Sequence, residues 1–146
     1  MFLLYPFIID NMKSCCKENN CIKCCLETRM PLSNQDIERI KMLGFNTKFF
    51  ITSKKGWLQL KNKNGKCIFH NGILCTIYKD RPEGCRLYPI IYDKNESIAI
   101  FDKDCPYKDN FKISKGVIKK LYALVSKLEH EKAQRKSKTN RLKSIS

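Results

Sequence analysis

Nine cysteines are the residues of this chain best suited to chemistry, and they are spaced unevenly. Five fall within eleven residues, and four follow singly at intervals of 8, 10 and 20 residues. Cys21 and Cys24 form a C-x2-C motif, which can turn two thiolates onto one metal ion, so the other ligands of a four-sulfur site must come from distant loops. The nine are Cys15, Cys16, Cys21, Cys24, Cys25, Cys67, Cys75, Cys85 and Cys105. This layout predicts a metal centre that is closed by the fold.

Disulfides are the alternative use of so many cysteines. Nine is an odd number, and the apolar start Met1–Ile9 lacks the basic region and the cleavage site of a signal peptide, so it is predicted to be a buried strand. No apolar run approaches the roughly 18 residues that a membrane span needs. We therefore expect a cytoplasmic protein, in which thiols stay reduced and a cysteine-rich pattern favours metal binding over disulfides.

Adjacent cysteines carry a further implication. The side chains of Cys24 and Cys25 tend to diverge, and a disulfide between neighbours would depart from ordinary Cα spacing. The pair therefore indicates either two metal sites or one ligand and one structural thiol. Eight cysteines would supply two four-thiolate centres and leave one over, which is predicted to be Cys15, next to Cys16.

The segment that ends at Cys85 is rich in residues that shape a loop. Pro82 can open a short helical turn, and Gly84 allows a close approach beside the cysteine. Arg81 and Arg86 flank the thiols, where a cation would lower a cysteine pKa and offset the charge of a thiolate-bound metal. The alternative is that both arginines pair with surface acids.

The elements that must position these thiols are short. A capping box at Ser33 and Asp36 predicts a helix over residues 34–43, and apolar residues at three- and four-residue steps predict an amphipathic helix from Ser114 to about Glu131. Short strands are predicted at Phe49–Ile51, Trp57–Leu60, Cys67–Phe69 and Ile98–Phe101. The prediction is a small, loop-rich α+β fold with one cysteine-cluster domain over residues 1–131 and a basic, disordered tail over residues 132–146.

Charge favours a second class of function. The net charge is +15, and residues 111–146 hold 11 Lys and Arg against two acids. Such an excess suits phosphate contacts, so a zinc-stabilised nucleic-acid-binding protein is one alternative, although no stacking motif or groove-reading module is present. The two histidines add little, because His70 is expected to be a turn residue and His130 a solvated one.

Together these motifs resemble one known family. The residues that carry the resemblance are Cys16-x4-Cys21-x2-Cys24-Cys25, the helix start Ser33–Ile40, Cys67, Cys75-Thr-Ile-Tyr78, Arg81-Pro82, Cys85-Arg86, Tyr88-Pro89 and Cys105. They look like the CxxCxxCC cysteine-cluster family, also called YkgJ-like, whose members are described as zinc- or iron-chelating. The family's first spacing is two residues, whereas four residues separate Cys16 from Cys21 here, so Cys15 and Cys16 compete for the first ligand position.

The resemblance implies a set of metal ligands and leaves the reaction open. The implied ligands are Cys16, Cys21, Cys24, Cys25, Cys67, Cys75, Cys85 and Cys105, holding zinc or an iron–sulfur cluster of the four-iron type, in one or two centres. Relatives include a flagellin lysine N-methylase, so a protein methyltransferase is an alternative to a redox protein. The implied partner is then a protein substrate or a redox protein.

Overall fold

The computed structural model describes residues 21–145. The predicted strand Met1–Ile9 and two of the cysteines, Cys15 and Cys16, lie outside the described residues. Within these residues there are four α-helices and six strands, and the strands form three separate antiparallel pairs. The elements are α1 (Asn34–Met42), α2 (Thr47–Phe50), β1 (Ile51–Lys54), β2 (Trp57–Leu60), β3 (Asn62–Lys63), β4 (Lys66–Cys67), α3 (Glu83–Leu87), β5 (Ile90–Asp93), β6 (Ile98–Phe101) and α4 (Lys115–Ile145). This mixture confirms the small α+β fold.

Helix α1 begins where the capping box predicted it. The Ser33 hydroxyl accepts a hydrogen bond from the Asp36 N–H, and the Asp36 carboxylate accepts one from the Ser33 N–H. These two bonds satisfy backbone donors that the first turn of a helix leaves without partners. Ile37 and Ile40 then face the core from one side of the helix.

The strands match the sequence patterns in part. β2 and β6 have the predicted bounds, whereas β4 covers only Lys66–Cys67 of the strand predicted at Cys67–Phe69. The strand predicted at Phe49–Ile51 is corrected, because the Asn46 side chain accepts a hydrogen bond from the Lys48 N–H and caps the helical turn α2. A side-chain cap at Asn46 therefore overrides the β propensity of the two phenylalanines.

Two hydrophobic clusters hold these elements together. The first joins α1, α2, β2 and β4 around Ile40, Phe50 and Phe69 and includes Cys67. The second packs α4 against α3 and β5 through Leu87, Ile90, Leu121, Leu124 and Leu128. Cys67 belongs to the first cluster and Cys25, Cys75 and Cys85 pack against it, so the side chains that make the core also limit how these four thiols can move.

Helix α4 is longer than its apolar pattern. It runs to Ile145, and this corrects the predicted helix end at about Glu131. The extension contacts the turn between β1 and β2, where Arg135 Nη2 donates a hydrogen bond to the Gly56 carbonyl at 3.2 Å. Nonlocal contacts of this kind have no signature in the periodicity. No helix within residues 21–145 combines the length and the apolarity that crossing a bilayer requires.

Candidate metal centre

A 3-10 turn over Lys23–Cys25 brings two adjacent thiols to the hairpin β3–β4. Just after this turn, the Glu27 N–H donates a hydrogen bond to the Gly65 carbonyl at 2.7 Å. Gly65 lies in the turn of the hairpin, and Cys67 lies at its end. The early cysteine cluster is thereby placed next to the first of the later single cysteines.

Three cysteines that are far apart in the sequence each begin a turn of the same kind. In each of them the cysteine carbonyl accepts a hydrogen bond from the N–H three residues later, at 2.9, 3.3 and 3.4 Å in chain order. In each the thiol also accepts a hydrogen bond from the N–H two residues later. The turns are Cys67 with Phe69 and His70, Cys75 with Ile77 and Tyr78, and Cys105 with Tyr107 and Lys108. Backbone donors aimed at sulfur stabilise a thiolate, which is the form that binds metal.

Two opposing effects act on the pKa of the cysteine thiols in these turns. Burial raises the pKa of the Cys67, Cys75 and Cys105 thiols, because the charged form loses its hydration. The backbone N–H groups partly offset this effect by favouring the thiolate. The residue two positions after the cysteine anchors the turn, since Phe69 and Ile77 are buried in the first cluster.

Cys24 interacts electrostatically with five of the other cysteines. A hydrogen bond from the Cys25 thiol lowers the pKa of Cys24 to about 7, and burial opposes that effect. The same hydrogen bond, followed by burial and by the neighbouring thiols, raises the pKa of Cys25. The charge of a Cys24 thiolate also raises the pKa of Cys67, Cys75, Cys85 and Cys105, so all of these sulfurs lie within electrostatic reach of it.

Cys85 on α3 faces the same group together with one cation. Burial, and then the thiols at Cys24, Cys67 and Cys75, raise the pKa of Cys85, whereas Arg81 lowers it. Arg81 is 7% exposed, donates a hydrogen bond to the Tyr78 carbonyl at 2.6 Å, and stacks its guanidinium 4.1 Å from the centre of the Tyr78 ring. Arg81 therefore favours the thiolate form of Cys24, Cys75 and Cys85, because its charge lowers the pKa of each.

Arg86 and Arg39 instead support the loop that carries Arg81. Arg86 is exposed and donates to the carbonyls of Lys79, at 2.6 Å, and of Arg81, at 3.3 Å. Arg39 of α1 donates to the carbonyls of Asp80 and Arg81, at 3.3 and 3.0 Å. Arg39 and Arg86 therefore hold the backbone of residues 79–81, which carries the buried Arg81.

A buried carboxylate ties this loop to α1. Asp36 is 1% exposed, and beyond its capping bond it accepts hydrogen bonds from Arg39 Nη2 at 2.8 Å and from the Glu83 N–H at 3.1 Å. Glu83 is the first residue of α3, so a single carboxylate caps two helices, one of which carries Cys85. Sequence reasoning found the first cap and missed the second, because nothing local links residues 47 positions apart.

Cys105 interacts electrostatically with the thiols of Cys21 and Cys24. The thiols at Cys21 and Cys24, together with the Asp102 carboxylate, raise the pKa of Cys105 in addition to its burial. Asp102 accepts a hydrogen bond from the Tyr88 hydroxyl, and burial and then Asp102 raise the pKa of Tyr88. Tyr88 therefore stays protonated and links the end of α3 to the loop of Cys105.

The histidines lie at the edge of this arrangement. The His70 Nδ1 accepts a hydrogen bond from the Gly72 N–H at 3.0 Å, and burial and then Lys66 lower the pKa of the ring. His70 is thus a neutral turn residue whose Nδ1 is already used, as expected. His130 is exposed on α4, in agreement with the solvated position predicted for it.

Gly84 permits the close packing beside Cys85 that the sequence indicated. A Cβ at residue 84 would meet Met30 Sδ, which packs against the first cluster. We expect Gly84→Ala to lower the free energy of unfolding by about 1–3 kcal/mol, because the added methyl must displace a packed side chain. Chemical denaturation measures this loss, and in a Met30→Ala background it should shrink. An equal loss in both backgrounds would show that Met30 is not the cause.

The structure describes seven of the eight predicted ligands. Cys24 lies within electrostatic reach of five of them, Cys21 is linked to the group through Cys105, and Cys16 lies outside the described residues. Thiolates are the donors that zinc and iron prefer, so the donor set fits these metals chemically. Within residues 21–145, no group of three or more His, Cys, Asp or Glu side chains has the geometry to hold an ion as it stands. Binding would therefore require the thiols to come closer together.

Comparison with known proteins agrees with this chemistry. No curated protein and no solved structure matches the chain. A family model does match, over residues 14–106, and those residues contain all nine cysteines and the Arg81 loop. The chain therefore belongs to the CxxCxxCC family, whose description is "Putative zinc- or iron-chelating domain".

Proposed function

We propose that the protein binds metal through two sets of four thiolates, with the adjacent cysteines Cys24 and Cys25 divided between them. One set is Cys25, Cys67, Cys75 and Cys85. The other is Cys21, Cys24, Cys105 and, by the family resemblance, Cys16. Four thiolates complete a tetrahedral site and leave no open position, which suits a metal that organises the fold or carries electrons.

One observation carries this proposal. Three turns from separate parts of the chain aim backbone N–H groups at their thiols, and all three thiols lie within electrostatic reach of Cys24. The division into two sets is supported by Cys25, whose pKa responds to Cys67 and Cys75, and by Cys105, whose pKa responds to Cys21. Cys24 lies within electrostatic reach of both sets.

Metal analysis of single variants tests the two sets. Anaerobically purified protein should contain about two zinc ions per chain, or about eight iron atoms if both sets hold four-iron clusters. Cys85→Ser and Cys105→Ser should each lose about half of the metal, because each removes a ligand of a different set. Cys16→Ser should also lose half, whereas the matched control Cys15→Ser should lose none.

Elemental analysis gives the amount of metal, and visible absorption separates coloured iron–sulfur clusters from colourless zinc. Loss of all metal from both Cys85→Ser and Cys105→Ser would replace two centres by one shared centre. Absence of metal together with paired disulfides by thiol counting would overturn the proposal.

The methyltransferase alternative stays a prediction from the family relationship, and transfer of a labelled methyl group to a lysine-rich acceptor tests it.

A further inference from the structure

A group of cations surrounds the only tryptophan of the chain, on the side of the fold built by α4 and the β1–β2 turn. Lys132 Nζ lies 4.1 Å and Lys94 Nζ 4.6 Å from the centre of the Trp57 ring. Lys54 pairs directly with Trp57 across the strands, so both side chains lie on the same face. We name this group the Trp57 patch and define it as Lys54, Lys55, Lys94, Lys132, Arg135 and Lys136.

The helix is held onto the turn by the members of the patch. Arg135 donates its hydrogen bond to the Gly56 carbonyl, and the Cε atoms of Lys132 and Lys136 each lie 3.3 Å from where a Gly56 Cβ would be. Gly56 has a φ of +84° and leaves room for the two lysine stems. Packing therefore gathers the lysines on one surface around Arg135, whose own Nε and Nη1 atoms are buried.

Charge within the patch is almost uncompensated. Among the ion pairs of residues 21–145, one involves a member of the patch, between Lys94 and Glu129 at 3.9 Å, and both of its side chains are more than half exposed. An exposed pair of this kind contributes little. Like charges this close repel one another, so their packing onto one turn opposes folding unless an anion neutralises them. The patch thus has the character of a site for an extended anion.

The composition of the last turns of α4 distinguishes between a membrane surface and a nucleic acid as the extended anion. A helix that binds an anionic membrane surface needs an apolar face to bury among the lipids. Residues 132–144 contain only two apolar side chains, Ala133 and Leu142, while Lys136, Lys138, Arg141 and Lys143 are exposed. The charge without an apolar face favours a nucleic acid over a membrane.

We propose that the Trp57 patch binds the phosphate backbone of a nucleic acid. Lysine ammonium groups act as point charges and contact phosphates without reading bases, so binding is independent of sequence and falls as salt rises. This interaction is separate from metal binding, since the patch contains no cysteine. It adds a partner to a protein whose proposed metal centres lie around Cys24.

Binding of fluorescently labelled single-stranded RNA and duplex DNA, measured by anisotropy on metal-loaded protein, tests the proposal. Between about 50 and 200 mM salt, Lys54→Gln/Lys132→Gln/Lys136→Gln should reduce the slope of log K against log salt by about 2–3, because three phosphate contacts are lost. The control Lys112→Gln/Lys115→Gln/Lys119→Gln removes the same charge from exposed positions at the other end of α4. It should leave the slope unchanged.

Two further measurements keep the test independent of folding and of the label. Lys54→Gln/Lys55→Gln alters only the turn, so it should reduce the slope by about 1–2 even if loss of Lys132 loosens the helix. Since Trp57 is the sole tryptophan, unlabelled RNA should change its emission at low salt, and vesicles of phosphatidylserine and phosphatidylcholine should not. Any of three results would overturn the proposal: no binding at low salt, equal losses in the control, or tighter binding to the vesicles.

Discussion

Removal of the metal should lower the melting temperature by more than about 10 °C, because binding of a structural metal contributes roughly 10 kcal/mol or more to folding in small thiolate sites. Apart from the first hydrophobic cluster, the cysteine-rich part has only short elements to hold it. Its three sheets have two strands each, and isolated strand pairs are marginally stable in water. Scanning calorimetry or near-ultraviolet circular dichroism, with and without a strong chelator under reducing conditions, measures the change.

Variants of the ligands should reproduce this loss in proportion. Cys67→Ser removes a ligand of one of the two proposed sets, and its thiol is 6% exposed within the first cluster, so it should lower the melting temperature by about half as much as chelation does. Cys15→Ser, which removes a cysteine assigned to neither set, should leave it unchanged. An unchanged melting temperature after verified removal of the metal would show that the core folds without it.

Loss of the Asp36 carboxylate should be the most damaging change outside the cysteines. Asp36→Ala is expected to lower the free energy of unfolding by about 3–5 kcal/mol, because it leaves buried donors at Ser33, Arg39 and Glu83 without their acceptor. The variant should also retain less metal, since the capped helix α3 carries Cys85. Chemical denaturation and elemental analysis of the same preparation measure both effects.

Glu38→Ala is the matched control for this change. It removes an acid from the same helix, but Glu38 is exposed and pairs only with Lys41, at 3.2 Å across the helix surface. Its expected cost is below about 0.5 kcal/mol. Similar losses for Asp36→Ala and Glu38→Ala would mean that the charge of α1 matters and that the buried contacts do not.

Local patterns in the sequence predicted the parts of the fold that local interactions determine. The capping box at Ser33 is read from residues three positions apart, and the strand at Trp57–Leu60 from its own composition. The end of α4 was missed because it depends on contacts with Gly56, 79 positions away from Arg135. Propensity alone does not carry such information.

The candidate site was predictable in its residue types and only partly in its arrangement. The cysteines and Arg81 were found from the sequence, whereas the neighbours of each thiol depend on tertiary structure. One signal was present and not used: Cys67, Cys75 and Cys105 are each followed two positions later by a large apolar or aromatic residue. That residue anchors a turn whose N–H groups face the sulfur.

The turn at Cys67, Cys75 and Cys105 orients each thiol independently of the number of residues between these cysteines. Each turn takes its hydrogen bonds from its own four residues, so it does not depend on the length of the loop that leads to the next one. Insertions between the turns change the closure entropy of a loop, which grows only slowly with length. An insertion within a turn would remove the donors from the sulfur. The spacing between these turns can therefore change without altering how each sulfur is presented, whereas the spacing within a turn cannot.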